Sequence, residues 1–520
     1  MTAGFPPQTH TPSSHLSVKY WTARFCNKKS PQLIDTNMRK TFHIAFLRAA
    51  MALLLISVIH PLQFARAHEL DELLNEAAKN NPDLLAAKWR AEQMLLRHQE
   101  LLEFFDPSIT VAAGQAERSR SIPGASGYSA LTNNATELQA GIDMAMEPGF
   151  YIAFGASERV YNDPDKYDYL AQTLFGVRIR VPLLRNRGFR NLSIEREMAL
   201  AEYNAAVSSL LDVAQRLRRD VTLAYIAAYE SLSSYKVTQE ATVRFERLVN
   251  EAKDLNKLKV IPEYQIFDAQ MDLQLGLENE EIARNRFALN IITLSSLIGG
   301  HRQVTLKNGP DILFQIASET KKLDEITMEE ALENRGSYLQ VKNNLEYARA
   351  QIASAMEEQK DDVTFNMGVS WQGEMHDHFD GSFKYSTDRH IGADASVIWK
   401  RTLDYRGPRA RQARFDARIQ QLKENLRSVA VDIDVQRRNA INNFRTALSR
   451  IDIVSKGIEA SQKTLAAEQE RFRLGEGTSS NVTDAQKELT SLQQRRTSAA
   501  ADLLRAKTNY LFAIGYNGEE

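Results

Sequence analysis

Residues 471–486 read Arg471-Phe472-Arg473-Leu474-Gly475-Glu476-Gly477-Thr478-Ser479-Ser480-Asn481-Val482-Thr483-Asp484-Ala485-Gln486. Two glycines interrupt an otherwise helical pattern. Gly475 suits the left-handed position after a helix end, and Ser480 or Asn481 suits the cap of the next helix. The stretch is therefore the tip of a helical hairpin. Upstream of it, Arg409 to Leu474 runs 66 residues with one glycine and no proline, which as a helix is about 100 Å long.

The stretch has an echo. Asp268-Ala269-Gln270 precedes Asp484-Ala485-Gln486 by 216 residues, and Ile298-Gly299 precedes Ile514-Gly515 by the same interval. Arg187-Gly188 and Arg406-Gly407 lie 219 apart, as do Arg218-Arg219 and Arg437-Arg438. Asn80 answers Asn334, and Leu85 answers Leu339. Phe189 to Ile261 is a second run, of 73 residues without glycine or proline, ending in a break from Leu258 to Glu263 around Pro262. A repeated unit of this size is too long for a solenoid. It predicts a pseudo-symmetric protomer, and with it a ring or barrel in which the halves hold equivalent places.

Outside the long helices the period changes to two. Ile109, Val111 and Ala113 alternate with small polar residues; so do Leu138 to Met146, Phe150 to Phe154 and Phe175 to Val181. The second half carries Val363 to Trp371 and Ile391 to Trp399. Segments of about 9–10 residues that alternate in this way match tilted bilayer-crossing strands, and Phe150, Trp371 and Trp399 lie near strand ends where aromatic girdles form. A soluble sandwich also alternates, but leaves the long helices unexplained. Arg178, Arg180 and Asp394 fall on the polar face, which is expected to line a lumen because charge facing lipid is costly.

Before the first helical pattern, Met38 opens a segment with Arg39, Lys40 and Arg48, an apolar run from Ala49 to Ile59, and Ala65-Arg66-Ala67. That is the order of a secretory signal with its cleavage site, predicting a mature start at His68. Residues 1–37 read as an extension or a mis-set start, so the true start is Met1 or Met38. The only cysteine, Cys26, precedes the cut, so the mature chain has no disulfide framework. A net charge of −1 gives no pointer to nucleic acid. No nucleophile, zinc or phosphate-loop motif is present, and the reading is of a non-enzyme without cofactors. Met375-His376-Asp377-His378 reads as a solvated loop, since two histidines and one aspartate do not define a coordination sphere.

Together these residues resemble the TolC-type outer-membrane factors, the outer membrane efflux proteins. The match is carried by Arg471 to Thr478 with Asp484-Ala485-Gln486 and the closing Leu511 to Gly515, by Val181-Pro182-Leu183-Leu184-Arg185 with Gly188, and by Asn81-Pro82. It covers about residues 68–516. The resemblance implies a mainly α protein with a membrane β-barrel portion: an internally duplicated protomer whose long α-hairpins form a periplasmic helical barrel and whose strands join a trimeric outer-membrane barrel. It implies a homotrimer set in outer-membrane lipid, serving as the exit duct for efflux or type I secretion from an inner-membrane pump through a periplasmic adaptor protein. Asp268 and Asp484, with Asn481 at a second ring position, become constriction candidates. Lys257, Ile261, Pro262, Gly475, Glu476, Gly477, Thr478 and Ser479 become adaptor-docking candidates at the tips.

The expected map is a signal peptide over 38–67, a first repeat over 68–300, a linker over 301–328, a second repeat over 329–516 and a tail over 517–520. Two departures stand out. Lys400-Arg401-Thr402-Leu403-Asp404 lacks the corner proline, and the first half offers four strands, so the hairpin 138–158 either enlarges the barrel or lies elsewhere. A second class of function, a non-transporting periplasmic hairpin adaptor or envelope spacer, remains open from the residues alone.

Overall fold

The computed structural model describes residues 68–124, 127–163, 167–300, 304–376 and 388–516. The predicted signal, the segment before it, the tail 517–520 and Asp377-His378 of the loop lie outside them.

Helix α1 (His68–Asn80) stops before Asn81, whose side chain accepts from the amides of Asp83 and Leu84 and so caps α2 (Pro82–Glu100), with Pro82 at a position that needs no amide. Four strands follow: β1 (Ser108–Gly124), β2 (Gly127–Met146), β3 (Phe150–Asp163) and β4 (Tyr167–Pro182). Helix α3 (Arg190–Lys257) and helix α4 (Tyr264–Ile298) form the first hairpin. The segment expected to be an irregular linker holds a two-turn helix, α5 (Ile312–Glu319), which buries Ile312, Leu313 and Ala317.

The second half repeats the plan. Helix α6 (Met328–Asn334) opens with a capping box between Thr327 and Glu330. After it come α7 (Gly336–Glu357), β5 (Asp362–His376), β6 (Asp388–Lys400), α8 (Arg406–Arg473) and α9 (Ser479–Ala513). The long helices α3 and α8 have 68 residues each, and their partners α4 and α9 have 35 each. No helix among the described residues is long and apolar enough to cross a membrane.

Both repeats close in the same way. Gly299 and Gly515 end the last helix of each half with positive φ. A Cβ on Gly299 would stand 2.9 Å from Asn80 Cβ, and one on Gly515 would stand 2.6 Å from the Asn334 carbonyl carbon. Asn81 then donates to the Leu297 carbonyl at 3.0 Å, and Arg335 donates to the Phe512 carbonyl at 3.0 Å. Arg335 is buried with its guanidinium 3.5 Å from the Phe512 ring centroid; burial, and then Arg219 and Arg216 nearby, push its pKa down to about 10. Gln215 on α3 ties the closures together. Its amide donates to the carbonyls of Asn334 and Gly515 and accepts from the Gly336 amide.

The first half also owns a buried carboxylate. Glu69 accepts from Tyr229 at 2.7 Å, from the Lys307 amide at 2.9 Å and from Asn308. These groups sit beside an apolar core of Leu73, Val221, Ile226, Leu294, Leu313 and Leu504.

Candidate functional site

The six strands form one antiparallel sheet in the order β1-β2-β3-β4-β5-β6. The hairpin left open by the sequence is thus part of the sheet. Its register sorts the two faces row by row. One row runs Val111, Ala140, Ala156, Phe175, Trp371, Ile391; the next runs Ile109, Ile142, Phe154, Val177, Val369, Ala393. Below them lie Met144, Ile152, Ile179, Met367, Ala395, and then Met146 paired with Phe150 and Val181 in register with Phe365 and Val397. On β5 this apolar face extends from Val363 to Trp371, about 27 Å of strand and about the 9–11 residues a tilted strand needs to cross a bilayer. Above it the hydrogen-bonded pair Glu158–Thr173 marks where the apolar face ends.

The opposite face is polar. Asp143, Ala153, Arg178, Gly368 and Asp394 share one row, and Ala145, Tyr151, Arg180, Asn366 and Ser396 the next. The structure therefore brings Arg178, Arg180 and Asp394 onto one face and adds Asp143 and the Arg159–Glu137 ion pair at 2.7 Å. A Cβ on Gly368 would stand 2.6 Å from Asp394 Oδ1, so any larger residue would push that carboxylate aside. Between these charges runs Thr110, Gly141, Gly155, Gly176, Ser370 and Gly392, a row with almost no side chains.

The strands run into helices at two corners of different build. At the first, Asn186, Gly188 and Phe189 all take positive φ, and Phe189 packs edge-on against Phe104, Phe105 and Tyr151. The β2–β3 turn presses on it: a Cβ on Gly149 would stand 2.5 Å from Gly188 Cα. The second corner lacks the proline and is held by Asp361, which accepts from Tyr405 at 2.7 Å and Trp399 at 3.1 Å. Those hydrogen bonds hold the Asp361 carboxyl below the usual range. Gly407, the sequence counterpart of Gly188, lies inside α8, which begins three residues earlier than the proline-free run from Arg409 suggested, with Pro408 in its first turn.

At the far ends of α3 and α8 the tips share one geometry. The Lys259 amide donates to Asn256 O and that of Val260 to Leu255 O; likewise the Gly475 amide donates to Phe472 O and that of Glu476 to Arg471 O. Both are the paired bonds of a Schellman ending. The left-handed residue is Gly475 in one (φ 77) and Lys259 in the other (φ 59), again 216 positions apart. The cap of α9 is Thr478, which accepts from the Asn481 amide, rather than Ser480 or Asn481.

Of the expected docking residues, Ile261 and Ser479 face inward, with exposures of 5% and 1%. Ile261 joins Phe472, Val482 and Leu465 in a core, and the Ser479 amide donates to Gln265. Gly477 packs on its own helix end, its amide donating to Arg471 O at 3.1 Å. Lys257, Pro262, Gly475 and Glu476 are exposed, while Thr478 is half-buried. What the sequence reading underweighted is apolar: Leu258, Val260 and Leu474 stand exposed at the tips. Leu258 and Leu474 are 216 residues apart and each immediately precedes the left-handed residue, which is the signal that would have found them.

Asp484 and Asn481 are exposed on α9 and Asp268 is half-exposed on α4. The neighbouring Asp272 is buried and pairs with Lys487 at 2.8 Å, bridging the two hairpins.

Residues 327–515 match the family model of the outer membrane efflux proteins. No curated protein sequence matches. Solved structures do. The outer-membrane channel OprN aligns with a TM-score of 0.64 at 15% identity, over 86% of this chain and 89% of that one. VceC of Vibrio cholerae gives 0.63 at 13%, over 86% and 96%. MtrE of Neisseria gonorrhoeae, described as an outer-membrane channel in its open state, gives 0.61 at 16%, over 86% and 88%. The fold is that of the outer-membrane efflux channels. The resemblance read from the tips, the corners and the duplication therefore holds, and of the proteins named, OprN and MtrE are described as outer-membrane channels.

Proposed function

We propose that three copies of this chain form an outer-membrane exit duct for efflux or type I secretion. The observation that carries this reading is the sheet: one face is apolar over a membrane's thickness and the other is charged. A periplasmic adaptor or spacer has no use for such a band, which disfavours the second reading. Assembly is supported by α4, which exposes Tyr264, Phe267, Met271, Leu275, Ile282, Leu289 and Ile292 at steps of three, four and seven residues. This is an unpartnered heptad-like seam. The helices would stand in the periplasm, and their tips, with Leu258, Val260 and Leu474 outermost, would meet an adaptor that connects the duct to an inner-membrane pump.

Asp268, Asp484 and Asn481 would ring the tunnel mouth in this arrangement. Copies of the carboxylates brought close together repel, which favours cations in the opening and opposes its closure. Arg178, Arg180 and Asp394 would line the outer lumen.

Purified protein in planar lipid bilayers tests the duct. Stepwise ion conductance is expected, rising or losing cation preference in the Asp268→Ala, Asp484→Ala double variant. A protein recovered without detergent and silent in bilayers would end the proposal. Docking is tested with Leu258→Asp plus Leu474→Asp, which should abolish export at normal trimer abundance. Bulky changes at Gly477 are poor probes, since its Cβ would meet Phe472 N at 3.2 Å.

A further inference from the structure

The sheet ends on two free edges, β1 and β6. Both carry exposed apolar side chains at membrane height: Ile109 and Val111 on one, Ile391, Val397 and Trp399 on the other. A free edge in lipid leaves a row of backbone amides and carbonyls without partners, which a bilayer does not tolerate. The edges also run in opposite directions. Strand β1 leaves the helices at Ser108 and β6 returns to them at Lys400, so β6 of one copy meets β1 of the next as an antiparallel pair.

We infer that each copy gives all six strands to the barrel, with β6 of one protomer zipped to β1 of its neighbour. This rests on the trimer proposed above. Three sheets of six strands make an 18-stranded wall. The occupant of each free edge is thus a second copy of this chain. The rival arrangement would set the β1–β2 hairpin aside and pair β6 with β3, giving 12 strands. It is disfavoured because β3 is already paired along its length on both sides, with β2 and with β4.

The consequence is the width of the outlet. At a strand spacing of about 4.8 Å and a tilt of about 40°, 18 strands give roughly 35 Å between opposite Cα atoms, against about 24 Å for 12. The lumen cross-section roughly doubles. The row of Thr110, Gly141, Gly155, Gly176, Ser370 and Gly392 adds almost no side chains to narrow it. The barrel is a wide vestibule, and the size of cargo is set elsewhere along the duct.

Inward side chains must meet inward side chains across the seam. With a strand tilt of about 35–45°, Ser396 then lies opposite Ala112 or Gly114. The test is disulfide trapping in the full chain with Cys26→Ser. Ser396→Cys combined with Ala112→Cys or with Gly114→Cys is expected to give covalently joined protomers. Ser396→Cys with Gly155→Cys or Ser157→Cys, placed for the 12-strand rival, is expected to give none. Native mass of the same samples reports the number of copies separately, so failure of the trimer and failure of the strand assignment are distinguishable. Cross-links in the β3 set, or none in the β1 set from a verified trimer, would overturn the inference. A density map of the wild-type assembly checks it without any substitution: six barrel strands per copy uphold it and four overturn it.

Discussion

Helices α4 and α9 are counterparts of equal length, yet positions that are exposed and apolar on α4 are polar on α9 and mostly covered there. Along α4, Phe267, Met271, Leu275, Ile282, Leu289 and Ile292 point outward. The residues 216 positions later on α9 are Thr483, Lys487, Ser491, Ser498, Arg505 and Thr508. Lys487 pairs with Asp272, and Arg505 with Glu230 and Asp502. The long helices differ likewise: α3 buries Tyr225, Tyr229, Phe245 and Leu248 among many others, whereas α8 leaves Val431, Val435 and Ile453 exposed. The duplication kept lengths and ends but divided the labour. Helices α3 and α9, one from each half, bury many residues inside the protomer, while α4 and α8 hold exposed apolar surface that the proposed trimer would cover.

The comparison breaks most visibly at the outward seam. Ile282→Arg with Ile292→Arg should lower trimer yield at least tenfold on unheated gels. Ser498→Arg, at the counterpart position on α9, should not. Equal losses would mean the two helices are used alike.

The repeat closures sharpen the likeness. Gly515→Ala and Gly299→Ala each force a Cβ into a neighbour and a side chain into the left-handed region, and each should cost about 2–4 kcal/mol, read as a lower thermal midpoint. A loss confined to one of them would show that the closures are not equivalent.

Only the first half has the Glu69 cluster, so Glu69→Ala should cost about 3 kcal/mol by stranding buried tyrosine hydroxyls. Burial, and then the Glu69 charge, raise Tyr225 to about 12. Because the folded pKa lies above the unfolded value near 10, this contribution is intact below about pH 10 and fades as pH climbs toward 12. Alkaline melting curves should show that fall.

The smallest effect concerns the tips. Lys259→Gly should stabilise by about 1 kcal/mol, since it relieves a left-handed non-glycine residue. Gly475→Ala should destabilise by a similar amount or more, its Cβ standing 2.8 Å from Val260 Cγ1. Chemical denaturation of the pair of variants measures both.

The helices, the strand cores and the closing glycines were readable because each leaves a chemical mark: long runs without breakers, period-two alternation, and glycine where φ is positive. The strand ends were not. β1 and β2 continue to Gly124 and from Gly127, well beyond the alternating cores, because above the apolar band only backbone pairing is required and side chains such as Gln115 carry no pattern. The break at 258–263 was visible, but not that Lys259 is its left-handed residue, since a lysine carries no mark of positive φ. Thr478, Ser479, Ser480 and Asn481 are all competent caps, and the Schellman ending upstream decides among them. The inward turn of Ile261 and Ser479 depends on contacts between the two hairpins, which no local pattern records. Helix α5 spans only two turns, too few for a period to show.

Gln215 makes each repeat a structural partner of the other. Its amide, on α3, bonds to Asn334, Gly336 and Gly515, the last of them 300 residues downstream. Part of the polar contact in the flank of the first repeat is thus supplied by the closure of the second. A change at the end of the chain therefore reaches α3 through a hydrogen bond as well as through packing.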